Sequence, residues 1–341
     1  MHDIIYLTSK GIIMSVKVAI NGTGRIGLCT ARIIGTREDI ELVALNTTAP
    51  IDTLVHLLRY DSVHRGYNVQ KIDDHTIQIG NNKVAILSDR DPANLDFSRY
   101  GAQGVIECTG KFNSLQASSA HIKDNVKKVI ISAPADEAPT FVYGVNHLQY
   151  KGESVISNAS CTTNCLAPIA KVLHDAYGIQ SALMTTIHSY TNDQNVLDVK
   201  HKDLRRARAA ALNIIPTSSG AAKAVGLVIP DLVGKFNGFA VRVPTPDVSL
   251  VDLSVNLSKP ADKEAINDLF REVQHTSMKD IIYVDEEKCV SSDFIGSPYS
   301  AIFVPDKTLV IGNSAKVLAW YDNEIGYSTR LVDMSVYALT H

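Results

Sequence analysis

The run Ser160-Cys161-Thr162-Thr163-Asn164-Cys165 leads straight into the apolar positions Leu166, Ile169, Ala170, Val172 and Leu173. A polar cluster followed by helical spacing predicts a helix whose first turn carries Cys161. Free backbone N–H groups and the helix dipole at that end favour a thiolate, the nucleophilic form of cysteine. Cys165, one turn further in on the same side, reads as a small buried hydrophobe. His188 ends an apolar, β-branched run that starts at Ser181, and Ser189-Tyr190-Thr191-Asn192-Asp193 follows it. A strand can therefore carry an imidazole to the crevice while the loop adds polar contacts. Taken alone, His188 serves equally well as a structural histidine. No second cysteine pair or His-Glu-x-x-His helix accompanies Cys161 and Cys165, so no metal site is expected.

A second site is predicted at Gly22-Thr23-Gly24-Arg25-Ile26-Gly27, between a short apolar run at Val16–Ile20 and a helix reaching about Ile34. Glycines in that context let a tight turn bring backbone N–H groups and a helix N-terminus to a pyrophosphate. Arg25 adds positive charge, and Thr109-Gly110 after another apolar run supplies a second crevice loop. The acidic residue that binds the adenosine ribose is expected about 20 residues on. The sequence there is Ala44-Leu45-Asn46-Thr47-Thr48. Threonine at 47 does not repel a 2′-phosphate as a carboxylate would, so both NAD and NADP are expected cofactors.

These sites need elements to hold them. Ile40–Leu45 completes a strand, helix, strand unit spaced for parallel pairing, the start of an α/β domain. Leu54–Leu58 reads as helix, Val69–Leu87 as short strands with a turn at Gly80-Asn81-Asn82, and Val105–Cys108 and Val129–Ser132 as core strands. Phe239–Val243 and Val248–Leu257 read as long strands, Ala261–Thr276 and Asn323–Leu339 as helices. Tyr190–Asn213, basic at Arg205, Arg206 and Arg208, reads as a long ordered loop, and loops above about 12 to 15 residues are usually functional.

The chain has 341 residues, which at roughly 100 to 200 residues per domain suggests two domains. With 33 Lys and Arg against 36 Asp and Glu, there is no large field for a nucleic-acid backbone or an anionic bilayer, and no dedicated nucleic-acid partner is expected. Five scattered cysteines make no disulfide framework and point to a reducing compartment, the cytoplasm. No apolar run approaches the roughly 18 to 20 residues that cross a bilayer. Residues 1–15 read as a peripheral extension, with Met14 as an internal start.

Ala159-Ser160-Cys161-Thr162-Thr163-Asn164-Cys165-Leu166-Ala167-Pro168 resembles the active-site segment of the glyceraldehyde-3-phosphate dehydrogenase family. The similarity continues through Asn21–Gly27, Tyr60-Asp61-Ser62, His188–Gln194, Arg205–Ala211, Gly220–Gly226, Arg242-Val243-Pro244-Thr245-Pro246 and Trp320–Glu324. This resemblance implies a Rossmann NAD(P)-binding domain at 16–160. It also implies an α+β catalytic domain with a mixed or antiparallel sheet at 161–322, and a C-terminal helix at 323–341 returning to the first domain. Cys161 would attack the aldehyde of a triose phosphate with His188 as base, and inorganic phosphate would release the acyl group.

By the same resemblance, Thr191, Asp193 and Arg242 hold the substrate phosphate. Ser160, Ser219 and Gly220 hold the attacking phosphate, with Thr162 beside them. Ser219 stands where threonine is commoner and keeps the hydroxyl. Asn323 orients the nicotinamide carboxamide, and Gly22, Gly24, Arg25, Ile26, Gly27, Thr47, Thr109, Gly110 and Ser132 line the cofactor. The loop at 190–213 resembles the segment between subunits of a homotetramer, which would bring Lys200 to a neighbour's cofactor. Val199-Lys200 departs from the leucine-proline pair of NAD-specific relatives, as Thr47 departs from their aspartate. Erythrose 4-phosphate is the alternative substrate, and a catalytically silent interaction protein is the alternative of a different class.

Overall fold

The structure, a computed structural model, describes residues 15–341; the expectation for the leading segment lies outside the described residues up to Met14. Two eight-stranded sheets organise the chain. The first contains β1 (Val16–Asn21), β2 (Ile40–Asn46), β3 (Val69–Asp73), β4 (Thr76–Ile79), β5 (Asn82–Leu87), β6 (Gly104–Glu107), β7 (Lys128–Ile131) and β8 (Val155–Ser157). Their order is β3-β4-β5-β2-β1-β6-β7-β8, with β5 to β8 parallel along that path and β3 and β4 antiparallel at one edge. Strands β2, β6 and β7 are buried almost throughout, as expected where helices cover both faces of a parallel sheet. The order of the parallel strands reverses between β1 and β6, so their C-terminal ends open the crevice where such sheets bind ligands.

Helix α1 (Arg25–Ile34) leaves that crevice, and α2 (Ile51–Arg59) follows β2. A one-turn α3 (Leu115–Ser118) follows β6, and then α4 (Cys161–Tyr177) starts directly after β8. Leu166, Ile169, Ala170 and Leu173 of α4 enter the core of the second sheet.

The second sheet contains β9 (Ile179–Ser189), β10 (Ile215–Ser218), β11 (Phe236–Val243), β12 (Ser249–Leu257), β13 (Ile282–Val284), β14 (Ala301–Phe303), β15 (Leu309–Ile311) and β16 (Ser314–Tyr321). It is mixed, in the order β10-β11-β9-β12-β16-β14-β13, with β15 paired to β16. Alternating burial along β12 and β16 gives one face to the core beneath α4, α5 (Ala221–Val228) and α6 (Lys263–Val273). Finally α7 (Ile325–Thr340) returns to the first sheet, where Tyr327, Leu331, Val332 and Met334 pack with Ile20, Ile34 and Leu42. The expected α/β plus α+β architecture is thus present, and residues 190–209 carry no helix or strand.

Candidate active site

Ser160 caps α4, its Oγ accepting the Thr163 N–H at 3.1 Å. The residue before it, Ala159, holds φ 55°, a left-handed conformation that costs a non-glycine residue about 1 kcal/mol or more. Its backbone is pinned on both sides: Ala159 N–H donates to Ser157 Oγ at 3.0 Å, and Tyr327 of α7 donates to Ala159 O at 2.9 Å. This turn sets Cys161 as the first residue of α4, and Cys161 Sγ lies 3.5 Å from His188 Nε2.

His188 is 4% exposed and its Nδ1 is 2.7 Å from Ser189 O. A proton on Nδ1 donated to that carbonyl leaves the Nε2 lone pair facing the thiol, the tautomer a base requires. Arg242 sits beside it because β9 and β11 are parallel and pair Arg242 with His188. Its Nη1 reaches Ser189 O at 2.9 Å and lies 2.8 Å from His188 Nδ1. Burial, reinforced by Arg242, drives the imidazole pKa down to about 3, so His188 is neutral. Burial pushes the Cys161 thiol up, while Arg242 and the Thr162 N–H pull it down. The helix terminus alone therefore does not set the thiol, as its position in the sequence suggested; it acts against burial, with a neighbouring cation as the larger counterweight.

Two features of this domain suit an anion. Arg242 Nε is buried with no partner, a donor that an oxyanion would satisfy. The N-terminus of α5 begins at Gly220, which has open space where a Cβ would stand. Ser219 Oγ accepts the Ala221 N–H at 3.3 Å, and the first turn of α5 has no acidic residue, so its dipole end is free to face an anion.

The cofactor crevice has the glycines its sequence required. A Cβ on Gly27 would lie 2.1 Å from Gly22 O, and one on Gly22, at φ 104°, 2.8 Å from Thr109 N. Gly24, the cap of α1, has nothing within 4 Å of its Cβ position and no side chain caps it. An exposed cradle of N–H groups at a helix end fits the pyrophosphate of a dinucleotide. The cleft is lined by Thr47, Arg90 and Thr109 among others. Thr47 Oγ1 is 2.6 Å from Thr23 Oγ1 and accepts the Ala49 N–H. Beneath it runs a chain of hydrogen bonds across the strand ends. His121 and Asn21 both meet Glu107 Oε2, at 3.0 and 2.6 Å, Asn46 donates to Asn21 Oδ1 at 2.8 Å, and the Asp89 N–H donates to Asn46 Oδ1. At the other end Asn323 Oδ1 accepts from Ser189 and Ser249, each at 2.7 Å, which leaves its amide N–H₂ to hold a carbonyl.

Residues 16–115 match the NAD-binding domain of glyceraldehyde 3-phosphate dehydrogenase, and residues 160–323 match its C-terminal domain. The chain belongs to the glyceraldehyde-3-phosphate dehydrogenase family. It is 51% identical to glyceraldehyde-3-phosphate dehydrogenase 1 of Bacillus cereus over 326 residues, 94% of this chain and 98% of the relative. It is 49% identical to the enzyme of Geobacillus stearothermophilus over 329 residues, and 48% identical to enzyme 1 of Mucor circinelloides over 330, each time covering 95% of this chain and 98% of the relative. The chain is an oxidoreductase of this family with an NAD(P)-binding domain.

Within this glyceraldehyde-3-phosphate dehydrogenase family member, three residues expected at the ligands have other partners. Arg25 is bound on both sides by Asp61 and Glu324, so its side-chain charge is spent on joining α1 to the segment before α7. Arg25 and Ile26 open the helix behind the Gly22-Thr23-Gly24 wall of the cleft and are not among the residues that line it. Thr162 is buried with its hydroxyl 2.9 Å from Tyr321, and both that hydroxyl and its backbone N–H favour the Cys161 thiolate. Asp193 forms an ion pair with Arg206; a carboxylate repels a phosphate dianion but can aim a guanidinium at one. Arg206, which the sequence reading placed only within a basic loop, also donates to Thr217 Oγ1 at 2.9 Å, at the strand leading to Ser219. Thr191 is half-buried at the start of the same loop, its N–H on Gln194. Ser132 follows β7, its N–H on Glu107 O, and Gly110 holds φ 70° beyond Thr109. Lys200 is exposed and lies outside the residues lining the cofactor cleft of its own chain.

Proposed function

We propose that the protein oxidises D-glyceraldehyde 3-phosphate with NAD(P) and inorganic phosphate to 1,3-bisphosphoglycerate, reversibly, and that Cys161 and His188 carry the chemistry. The observation that carries this reading is the 3.5 Å contact of Cys161 Sγ with His188 Nε2, with Arg242 beside it. The proton passes from Sγ to Nε2 as sulfur bonds the aldehyde carbon, and from Nε2 to the alkoxide oxygen that results, giving a thiohemiacetal with His188 neutral again. Arg242, with Thr191 and the Arg206 that Asp193 aims, binds the substrate phosphate and fixes that carbon over the sulfur. Bound NAD(P) supplies the two-electron acceptor for the hydride that leaves this carbon. His188 takes the hydroxyl proton as the thioester forms. A phosphate oxygen, held by Ser160, Ser219 and the Gly220 helix end, then attacks the thioester carbonyl. The carbon–sulfur bond breaks, and the acyl phosphate leaves with Cys161 restored.

Domain bounds of 16–160 and 161–322, with 323–341 returning to the first, agree with the packing of α7 on the first sheet. A homotetramer is supported by exposed apolar side chains on the long loop, including Val196 at 83%, Leu204 at 83% and Leu212 at 80%, since such patches mark interaction sites. A reducing cytoplasm suits the five cysteines, all free. The direct test is turnover of glyceraldehyde 3-phosphate and erythrose 4-phosphate, each with and without inorganic phosphate. The proposal requires phosphate-dependent turnover with preference for the triose; preference for the tetrose would overturn the substrate assignment.

A further inference from the structure

Behind the cofactor segment lies a buried carboxylate that this chemistry does not use. Asp247, between β11 and β12, is 3% exposed, and its oxygens meet no side-chain donor at hydrogen-bond distance, only a weak contact with the Val248 N–H. Val248, next to it, holds φ 63°, a conformation that is an outlier for a β-branched residue. The chain thus bears backbone strain where it turns Asp247 inward. The group Asp247 faces is another carboxylate, Asp322; the oxygens of both and a ring nitrogen of His64 lie within 4.8 Å of one another.

The two acids are not equivalent. Asp322 accepts three backbone N–H groups, from Glu324 at 2.9 Å, Ile325 at 2.7 Å and Gly296 at 2.7 Å; burial raises its carboxyl too, but these donors oppose it, so of the two acids Asp322 is the better placed to carry the charge. Among side chains Asp247 has only Asp322 and His64, and His64 Nε2, 3.6 Å away, already meets Glu324 Oε2 at 2.9 Å. The other groups packed here are Arg25 with its carboxylate partners Asp61 and Glu324, Arg32 at 3.9 Å from Asp61, and the Cys29 thiol, held neutral by burial. Two guanidinium groups already face three carboxylates, and His64, the other group able to carry positive charge here, is closer to Glu324 than to Asp247, so a fourth negative charge is poorly compensated. Burial and Asp322 together push the Asp247 carboxyl up to about 9.

We propose that Asp247 is a neutral carboxylic acid whose proton is donated to Asp322, and that this shared proton positions Asn323 for the nicotinamide end of the cofactor. The inference rests on the reading of Asn323 as a cofactor contact. The loop from Asp247 grips consecutive residues: Asp247 holds Asp322, and Ser249, two residues on, holds Asn323 Oδ1. Release of either grip frees the amide that faces the cofactor. Asp247 is a positioning residue, acting through Asp322 and touching neither substrate nor cofactor.

The experiment compares wild type, Asp247→Asn and Asp247→Ala, using NAD and NADP affinity by calorimetry and thermal unfolding without cofactor, from about pH 5 to pH 10. Asparagine keeps a neutral donor of the same shape, so Asp247→Asn should bind cofactor like wild type near neutrality. Alanine should weaken binding about tenfold, the loss of one hydrogen bond to a charged group. Above about 9 the wild-type pair ionises, and its affinity should fall while that of Asp247→Asn does not.

Unfolding reads the proton without any cofactor. The folded protein keeps on Asp247 a proton that the unfolded chain releases above about pH 4, so wild-type stability falls as pH rises from there to about 9. Asp247→Asn lacks that loss, and its melting temperature should exceed wild type by a margin that grows over the same range. An Asp247→Asn protein that binds as poorly as Asp247→Ala, or a margin independent of pH, would show an ionised Asp247 and overturn the shared proton. If the margin grows with pH but all three proteins bind cofactor equally, the shared proton stands and the positioning of Asn323 is overturned. Failure of wild type to bind either cofactor would instead sink the cofactor reading on which the positioning rests.

Discussion

Arg242 Nη1 lies 2.8 Å from His188 Nδ1 and shares the Ser189 carbonyl with it. One cation thereby acts on both members of the reacting pair. It adds to burial in lowering the pKa of His188, keeping the imidazole unprotonated, and it lowers that of Cys161 against the opposing effect of burial. Its free Nε remains for an anion.

Arg242→Leu should therefore raise the pH midpoint for alkylation of Cys161 by iodoacetamide, because the cation that favours the thiolate is gone. The same variant should lose about 10- to 100-fold more kcat/KM on the phosphorylated aldehyde than on an uncharged analogue, the scale of a charge-assisted contact. Alkylation and parallel kinetics measure the two effects. An unchanged midpoint with equal kinetic losses would make Arg242 a purely structural residue.

Asp193 should matter through Arg206. Asp193→Asn is expected to raise the KM for phosphorylated aldehyde or for inorganic phosphate several-fold, and Arg206→Ala by at least as much. Because the residues act as one unit, the double variant should be no worse than Arg206→Ala. Additive losses in that cycle would mean that Asp193 contributes independently of its ion pair.

Gly24 and Gly27 share a motif but face different things. Gly24→Ala should fold with a near-normal melting temperature and lose cofactor affinity, because its methyl group enters open space beside the helix end. Gly27→Ala must displace the Gly22 carbonyl and should lose a few kcal/mol of stability, the range for overpacking a tight contact. Calorimetric titration and thermal unfolding separate these outcomes; the reverse pattern would place the pyrophosphate elsewhere.

Cofactor choice follows from Thr47, buried against Thr23 in the cleft. The protein should accept NADP as well as NAD, and Thr47→Asp should weaken NADP use by placing a carboxylate near the 2′-phosphate. Lys200→Ala should do the same if the homotetramer brings that loop to a neighbouring cleft. Initial rates over both cofactors decide: a wild-type preference for NAD above about 1,000-fold, some 4 kcal/mol, would exclude dual use.

What the sequence disclosed was chiefly what depends on neighbours along the chain. The glycine turn, the capped helix at Cys161 and the strand ending at His188 are local patterns, and each lies where its spacing implied. The partners of Arg25, Thr162 and Asp193 come from Asp61 and Glu324, Tyr321 and Arg206, and no periodicity ties such distant positions together. Glu107 had a signal that went unused: a carboxylate closing the apolar run Gly104-Val105-Ile106 is costly to bury without partners, and it lies at the centre of the bonds beneath the cofactor. Strands β8, β10, β13, β14 and β15 were not anticipated, since three or four residues each are too few to show alternation; β16, eight residues with alternating burial, was long enough to be read and was missed as well.

In the proposed mechanism Cys161 carries the acyl group between oxidation and phosphate attack. Intact-protein and peptide mass spectrometry should be run on wild type, Cys161→Ser and Cys165→Ser after mixing with glyceraldehyde 3-phosphate and NAD(P) but no inorganic phosphate. A thioester adduct is expected on the Cys161 peptide of wild type and Cys165→Ser, discharged when phosphate is added, and none in Cys161→Ser. An adduct on Cys165, or phosphate-dependent turnover persisting at the wild-type rate in Cys161→Ser, would contradict the mechanism.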